Sequence, residues 1–305
     1  DRKELFDGLA AAYRVVRPNV ELVYREVGVR EYESALLGAL AAGEGPDIFL
    51  IGNRSLPREK AKLVPVSPDQ FGVARLRELF PTVVEQDFAD GASIYALPLS
   101  VDTLTLLYNR DLLDQAGVVA PPKTWQEFQN IIPRLKTVSL AGEITRAAAA
   151  IGGSERSIAT AVDLLHLLLL QNGVPMIDPQ GGGADFLGRE NAGVSAVNFY
   201  AQFANPASPR YTWSDAGKNY IDEFVAGRVA MIFDYASRIS EIKNKAPFLR
   251  LGIAPMPQPA GASAVWNYAR YEGLAVSRQS KVREWAWDFV VFAATNGEVA
   301  RAYLK

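Results

Sequence analysis

Cysteine is absent from the 305 residues, and histidine occurs once, at His166. Without cysteine there is no disulfide, no thiolate nucleophile and no Cys-based zinc site. With a single histidine as well, neither a zinc centre nor a Ser/His/Asp triad is expected. Charge of one sign is not in excess: 32 basic residues face 34 acidic ones, for a net charge of −2. A nucleic-acid-binding chain would carry a basic stripe, and none is seen. No block of like charges marks a tail. Long apolar runs are missing too. The longest, Leu164–Leu170, is broken by His166 and falls far short of the ~20 residues a bilayer span requires. Phosphate and nucleophile signatures are also lacking. Gly181-Gly182-Gly183 is not a dinucleotide fingerprint, and no Walker-type loop occurs. Gly152-Gly153-Ser154-Glu155-Arg156 departs from the G-x-S-x-G elbow at its last position. No cofactor is expected.

What is present describes a globular protein. Hydrophobic residues make up 49% of the chain, and the mean hydropathy is +0.01. The length exceeds one ordinary core and suits two domains or lobes. Leu5, Leu9, Ala12, Tyr13 and Val16 recur at helical spacing and predict a helix over 3–16. Val20, Leu22 and Tyr24 alternate and predict a strand. A second helix spans Tyr32 to Leu40, and Asp47–Ile51 reads as a buried parallel strand. Thr124 followed by Glu127 is a capping box that opens a helix bearing Trp125, Phe128, Ile131, Ile132 and Leu135. Further helices are predicted over 157–172, 190–204, 214–227 and 282–295. Strands are predicted at Val229–Phe233, Leu251–Ala254 and Ala275–Val276. Asp178–Gly183 and Pro255–Ala262 are the most loop-like stretches. The alternation of strands and helices argues for an α/β sheet.

Four stretches, in order, resemble the family of extracellular solute-binding proteins that includes the maltose-binding proteins. They are Ala41–Phe49, with its Gly43, Pro46, Asp47 and Ile48; Tyr95–Leu104, continuing through Leu107–Leu113 to Pro122–Phe128; Phe224–Met231, leading to Gly252–Pro257; and Gly273–Ser277, followed by the Trp285–Phe292 helix. The resemblance implies an α/β periplasmic-binding-protein type II clamshell, two α/β lobes joined by a hinge. Lobe one would comprise 1–100 and 256–305, and lobe two 104–252, with crossovers near Ser100–Thr103 and Ala254–Pro257. The family's opening strand and the helices it carries beyond the Tyr303 region are not in this sequence, so part of the mature protein is expected to lie outside it. The family also implies an extracytoplasmic location with a lipid anchor upstream, a monomer, and a membrane permease of an ABC importer as partner. Its small-molecule ligand would be captured between the lobes and would most often be a carbohydrate.

Sugar recognition needs carboxylates and amides for hydroxyls and aromatic faces for the apolar side of the ring. Asp102 stands at the first crossover, where similar proteins carry an acidic ligand contact; the alternative is a turn carboxylate capping backbone amides. Asn53 and Arg54 follow the Asp47–Ile51 strand, at the carboxyl end where crevices form in open sheets. Asp234 and Tyr235 follow the Val229–Phe233 strand, with packing at the lobe surface as the alternative for Tyr235. Gly152, Gly153 and Ser154 would let a backbone approach closely. Trp266, Tyr268 and Arg270 lie before the Gly273–Val276 strand, and Trp213 is a further aromatic candidate. Trp125, Trp285 and Trp287 read as packing residues, and His166 as a structural histidine. Two other functions remain open at this point. One is a glycosidase-like pair of carboxylates, Asp102 and Asp234, which would have to stand either ~5 Å or ~6.5–9.5 Å apart. The other is a ligand-sensing clamshell that signals to a membrane receptor. The ligand class is open too, because the same fold also hosts polyamine and other solute binders.

Overall fold

The computed structural model describes residues 2–177, 183–187, 191–216 and 219–297. The chain divides into two compact units, 1–101 with 270–305, and 102–269.

The first unit opens with helix α1, Arg2–Val16, followed by α2, Tyr32–Ala41. Between them the predicted strand at Val20–Tyr24 does not form. Alternation signals a half-buried surface, but among the described residues no strand pairs with this segment. Val23 is solvent-exposed, and Tyr24 instead stacks on Phe6 with ring centroids 4.9 Å apart. Strand β1, Ile48–Gly52, comes next, then β2, Leu63–Val64, helices α3, Val73–Leu79, and α4, Thr82–Phe88, and strand β3, Ala96–Pro98.

At Asp102 the chain enters the second unit with the long strand β4, Asp102–Asn109, running into α5, Arg110–Gln115. Asn109 ends the strand and caps the helix, its side chain accepting from Leu112 N–H at 3.2 Å. Helix α6, Trp125–Leu135, carries both halves of the predicted capping box. Strand β5, Ile144–Ala150, precedes α7, Ala161–Gln171, which starts later than the periodicity suggests. Thr160, just before it, turns its hydroxyl to Phe233 O at 2.7 Å. Helices α8, Ala192–Ala201, and α9, Tyr220–Val225, strand β6, Val229–Tyr235, helix α10, Arg238–Lys245, and strand β7, Leu251–Ala254, complete the unit. Of the two loop-like stretches, Pro255–Ala262 has no helix or long strand, and Asp178–Gly183 lies outside the described residues except for Gly183. The sheet order is β7-β4-β6-β5 with the short 137–138 strand at the edge. Strands β5 and β6 run parallel, while β4 is antiparallel to both β6 and β7. Strand β6 is buried along its whole length, between helices that supply Trp125, Phe128, Leu164, Leu168 and Phe224 to one apolar core.

The chain returns to the first unit at Arg270, later than the expected crossover at Ala254–Pro257. The intervening loop is tied to the second unit. Gln258 exchanges backbone hydrogen bonds with Lys123 and Trp125 at 3.0 Å each, and Leu104 N–H donates to Tyr268 O at 3.0 Å. Strand β8, Glu272–Ser277, then fills the centre of the first unit's sheet, antiparallel to β1, β2 and β3. Strand β1 is thus antiparallel rather than parallel. Its alternating burial shows a half-buried strand, which an apolar run alone does not distinguish from a doubly buried one. Helix α11, Arg283–Thr295, covers the sheet with Ala286, Trp287, Phe289, Val290 and Ala293. Trp285, expected to pack, falls off that stripe and is half-exposed.

Candidate functional site

Strand register gathers most of the predicted ligand residues at one end of the second unit's sheet. Tyr235 pairs with Leu104 and Asp234 with Thr105, so the end of β6 lies beside the start of β4, where Asp102 sits. Ile232 pairs with Ala150, which brings the end of β5 and the 152–154 loop to the same place. Ala254 opposite Leu106 adds the end of β7. This is the carboxyl end of the two parallel strands, the position where open α/β sheets present their binding loops.

The side chains at this end divide into those that face water and those the fold has taken up. Asp102 is half-buried and accepts from Ala236 N–H at 3.0 Å and Ser237 N–H at 3.3 Å. It thereby fixes the turn that leads into α10, whose N-cap residue, Ser237, makes no side-chain bond. A carboxylate has about four acceptor sites, so these two bonds leave Asp102 able to accept more. Asp234 is different. It is completely buried, accepting from the Tyr220 hydroxyl at 2.5 Å and from Tyr235 N–H at 2.7 Å. Burial pushes its carboxyl above the usual range, against the hydrogen bond from Tyr220 and the field of Arg238. Asp234 therefore supports the site and presents nothing to a ligand here. The glycosidase alternative loses one of its two carboxylates for the same reason. Tyr235 is likewise buried, its hydroxyl donating to Asp163 at 2.8 Å. Asp163, an acid inside an apolar helix, was a signal that sequence reasoning left unused.

The Gly152–Ser154 loop also approaches protein rather than open space. Gly152 has φ +91°, and a Cβ there would stand 2.7 Å from Ala204 N and 2.9 Å from Tyr200 O. A Cβ on Gly153 would stand 2.6 Å from Asp215 Oδ1 and 2.9 Å from Ser157 Oγ. Gly152 is required by its positive φ and by the backbone of Tyr200 and Ala204, and Gly153 because Asp215 closes over the loop, accepting from Ser154 N–H at 2.8 and 3.0 Å and from the Ser157 hydroxyl at 2.5 Å. Burial works to raise the Asp215 carboxyl, but the Ser154 and Ser157 donors and nearby Arg156 outweigh it and hold it below the usual carboxylate range. Trp213 is buried against this loop, its indole N–H donating to Ser157 Oγ at 3.0 Å. It packs rather than presenting a ring, while Ser154 keeps partial exposure. No residue pattern in the sequence pointed to Asp215.

Trp266 and Tyr268 sit on the segment hydrogen-bonded to Leu104. The Trp266 side chain is 51% exposed. Tyr268 is partly buried, tilted against His166 with its hydroxyl 3.2 Å from Nδ1.

Asn53, Arg54 and Arg270 belong to the first unit, where β1 ends beside the start of β8. Asn53 is buried: its N–H donates to Tyr271 O at 2.9 Å, and its amide to Asp87 at 3.0 Å. Tyr271 donates to the same Asp87 oxygen at 2.6 Å. Asn53 is thus a structural bracket, whereas Arg54 and Arg270 are exposed. Among the described residues, no group of His, Asp and Glu is placed to hold a metal ion, and no helix is long and apolar enough to cross a membrane.

A profile of bacterial extracellular solute-binding proteins matches residues 2–300. A binding protein of Brucella abortus is 24% identical over 289 residues, 94% of this chain and 67% of that one. The maltodextrin-binding protein MdxE of Bacillus subtilis is 25% identical over 272 residues, 86% of this chain and 60% of that one. The maltotriose-binding protein of Pyrococcus abyssi is 27% identical over 133 residues, 43% of this chain and 27% of that one. Among solved structures, the sugar-binding protein MalE of Xanthomonas citri superposes with a TM-score of 0.78 at 24% identity, covering 96% of this chain and 72% of that one. The fold is the periplasmic-binding-protein type II α/β fold. A match along nearly the whole chain, on a sheet whose carboxyl-end loops carry the polar and aromatic groups, makes this chain a member of the bacterial extracellular solute-binding protein family.

Proposed function

We propose that this chain captures a carbohydrate outside the cytoplasmic membrane and hands it to the permease of an ABC importer, acting as a monomer and catalysing no reaction. The observation that carries the reading is the family match over residues 2–300. The choice of sugar is supported by the relatives named as maltotriose- and maltodextrin-binding proteins. Fold alone would not select it, since a neighbour of the same fold is described in complex with glycerophosphocholine. Within the second unit, Asp102, Ser154, Trp266 and Tyr268 keep exposure at the carboxyl end of the sheet. We assign ligand contact to these four; on the first unit, taken by itself, Arg54 and Arg270 are the exposed candidates. Asp234, Tyr235, Trp213, Asn53 and Gly153 hold those contacts in place.

The test is a thermal-shift screen with maltotriose, longer maltodextrins, mannotriose, spermidine and glycerophosphocholine. An oligosaccharide at 100 times its dissociation constant should add about 2.7 kcal/mol of stability. A screen in which only spermidine or glycerophosphocholine raises the melting temperature would sink the sugar assignment and leave the family intact.

A further inference from the structure

Trp266 is half-exposed, yet its backbone is bound on both polar atoms by a single side chain. Gln258 Oε1 accepts from Trp266 N–H at 2.9 Å, and Gln258 Nε2 donates to Trp266 O at 3.0 Å. The amide thus pairs with the tryptophan as a neighbouring strand would. Its orientation is set by chemistry: Nε2 also donates to Met256 O at 3.0 Å, and a flipped amide would turn its oxygen toward two carbonyls. Gln258 is itself anchored. Its backbone exchanges 3.0 Å hydrogen bonds with Lys123 O and Trp125 N–H, at the capping box of α6. Gln171 adds a second support, donating to Pro257 O at 2.9 Å while accepting from the Trp125 indole at 2.6 Å. On the far side, Asn267 donates to Leu104 O at 2.8 Å. A loop of this length holds an exposed aromatic in one place only if its backbone is bracketed in this way, and a pre-ordered aromatic loses little freedom when a ligand covers it.

We infer that Gln258 is a positioning residue whose side-chain bracket holds the Trp266 indole as a fixed platform for the apolar face of a sugar ring. This rests on the carbohydrate reading, but the bracket itself can be tested without a ligand. Protein carrying 5-fluorotryptophan should give five 19F resonances, one per tryptophan, with that of Trp266 identified by its loss in Trp266→Phe. In Gln258→Ala the Trp266 line should shift and narrow while the other four stay in place. Gln258→Glu, close to the native volume, removes both amide donors and should move the same line, which separates the bracket from simple packing. Binding of maltotriose should weaken about tenfold in Gln258→Ala, and this loss should vanish in a Trp266→Ala background, since the residues act as a unit. An unmoved Trp266 line in both variants overturns the inference. So does a Gln258→Ala loss of equal size with and without Trp266. If no oligosaccharide binds the wild type, the sugar reading falls, and the fluorine spectra alone uphold or overturn the bracket.

Discussion

Asp234 and Asp215 stand at the same end of one sheet and should titrate with opposite effects on stability. Asp234 is held above its ordinary value of 3.8 by burial, facing Tyr220, Arg238 and Asp102. The folded state therefore binds its proton more tightly than the unfolded chain does. Its charge is a net cost at neutral pH, only partly offset by Tyr220, Tyr235 N–H and Arg238, and that cost is lost as pH falls through the folded value toward the unfolded one. Asp234→Asn keeps an acceptor for Tyr235 N–H and offers a donor to the Tyr220 oxygen. Its stability relative to wild type should be highest at neutral pH and should decline toward about pH 4. Urea titrations across that range check the sign; a difference that grows on acidification would contradict it. Asp215 is held below 3.8, its burial outweighed by Ser154, Ser157 and Arg156. Its stabilisation is present above the unfolded value and is lost as pH falls through the folded one. Asp215→Ala leaves the Ser154 amide and Ser157 hydroxyl without this acceptor, at a cost of about 1–3 kcal/mol near neutral pH. The same titrations should show that cost fading in acid. At this scale the sequence told which residues stand at strand ends but not which way they face. Trp266 is exposed as a platform requires, whereas Tyr235, Trp213 and Asn53 are turned inward by partners far away in the chain, Asp163, Ser157 and Asp87.

Elements built by local chemistry were legible. The capping box at Thr124 and Glu127 spans three residues, and both of its bonds are present: Thr124 Oγ1 accepts from Glu127 N–H at 3.1 Å, and Glu127 accepts from Thr124 N–H at 3.4 Å. Thr124→Ala should lower stability by about 1 kcal/mol. Because Gln258 pairs with the backbone beside this cap, the same substitution should also disturb the Trp266 fluorine line. A normal line in a destabilised variant would show the two supports to be independent. The strands at Val229–Phe233 and Leu251–Ala254 were legible as well, but whether and in which direction a segment pairs was not. Val20–Tyr24 has strand alternation and pairs with no strand among the described residues, and β1 takes its antiparallel direction from β8, more than two hundred residues on. The return to the first unit falls at Arg270, beyond the Ala254–Pro257 crossover that the family resemblance implied, because side-chain bonds from Gln258 and Asn267 keep the loop on the second unit. Gly153→Ala probes this scale as well. A methyl group 2.6 Å from Asp215 Oδ1 must push the carboxylate off the loop. The substitution should therefore reproduce the acid-sensitive destabilisation of Asp215→Ala, with about 1–3 kcal/mol lost to overpacking.

For the whole molecule, near-balanced charge narrows what the ligand can be tested against. With a net charge of −2, the protein exerts little long-range pull on ions, so salt effects on binding report local contacts. A neutral sugar would be held by hydrogen bonds to Asp102 and Ser154 and by stacking on Trp266, none of which is screened as an ion pair is. A polyamine would need carboxylates, and of Asp102 and Asp234 only the first keeps exposure. Calorimetry of maltotriose at low and high salt should give nearly equal affinities. Asp102→Ala should cost about ten- to a hundredfold, because hydrogen bonds to a charged acceptor contribute roughly 1.5–3 kcal/mol and 1.4 kcal/mol is a factor of ten. Part of that loss would come from freeing the turn before α10, where Asp102 receives the Ala236 and Ser237 amides. Asp102→Asn separates the contributions: its single amide oxygen can still accept from Ala236 N–H, while the Ser237 N–H loses its acceptor and the side chain carries no charge. Affinity near wild type in Asp102→Asn, with the loss confined to Asp102→Ala, would show that Asp102 only holds the helix. Equal losses in both, with the melting temperature of Asp102→Asn unchanged, would place the carboxylate on the ligand.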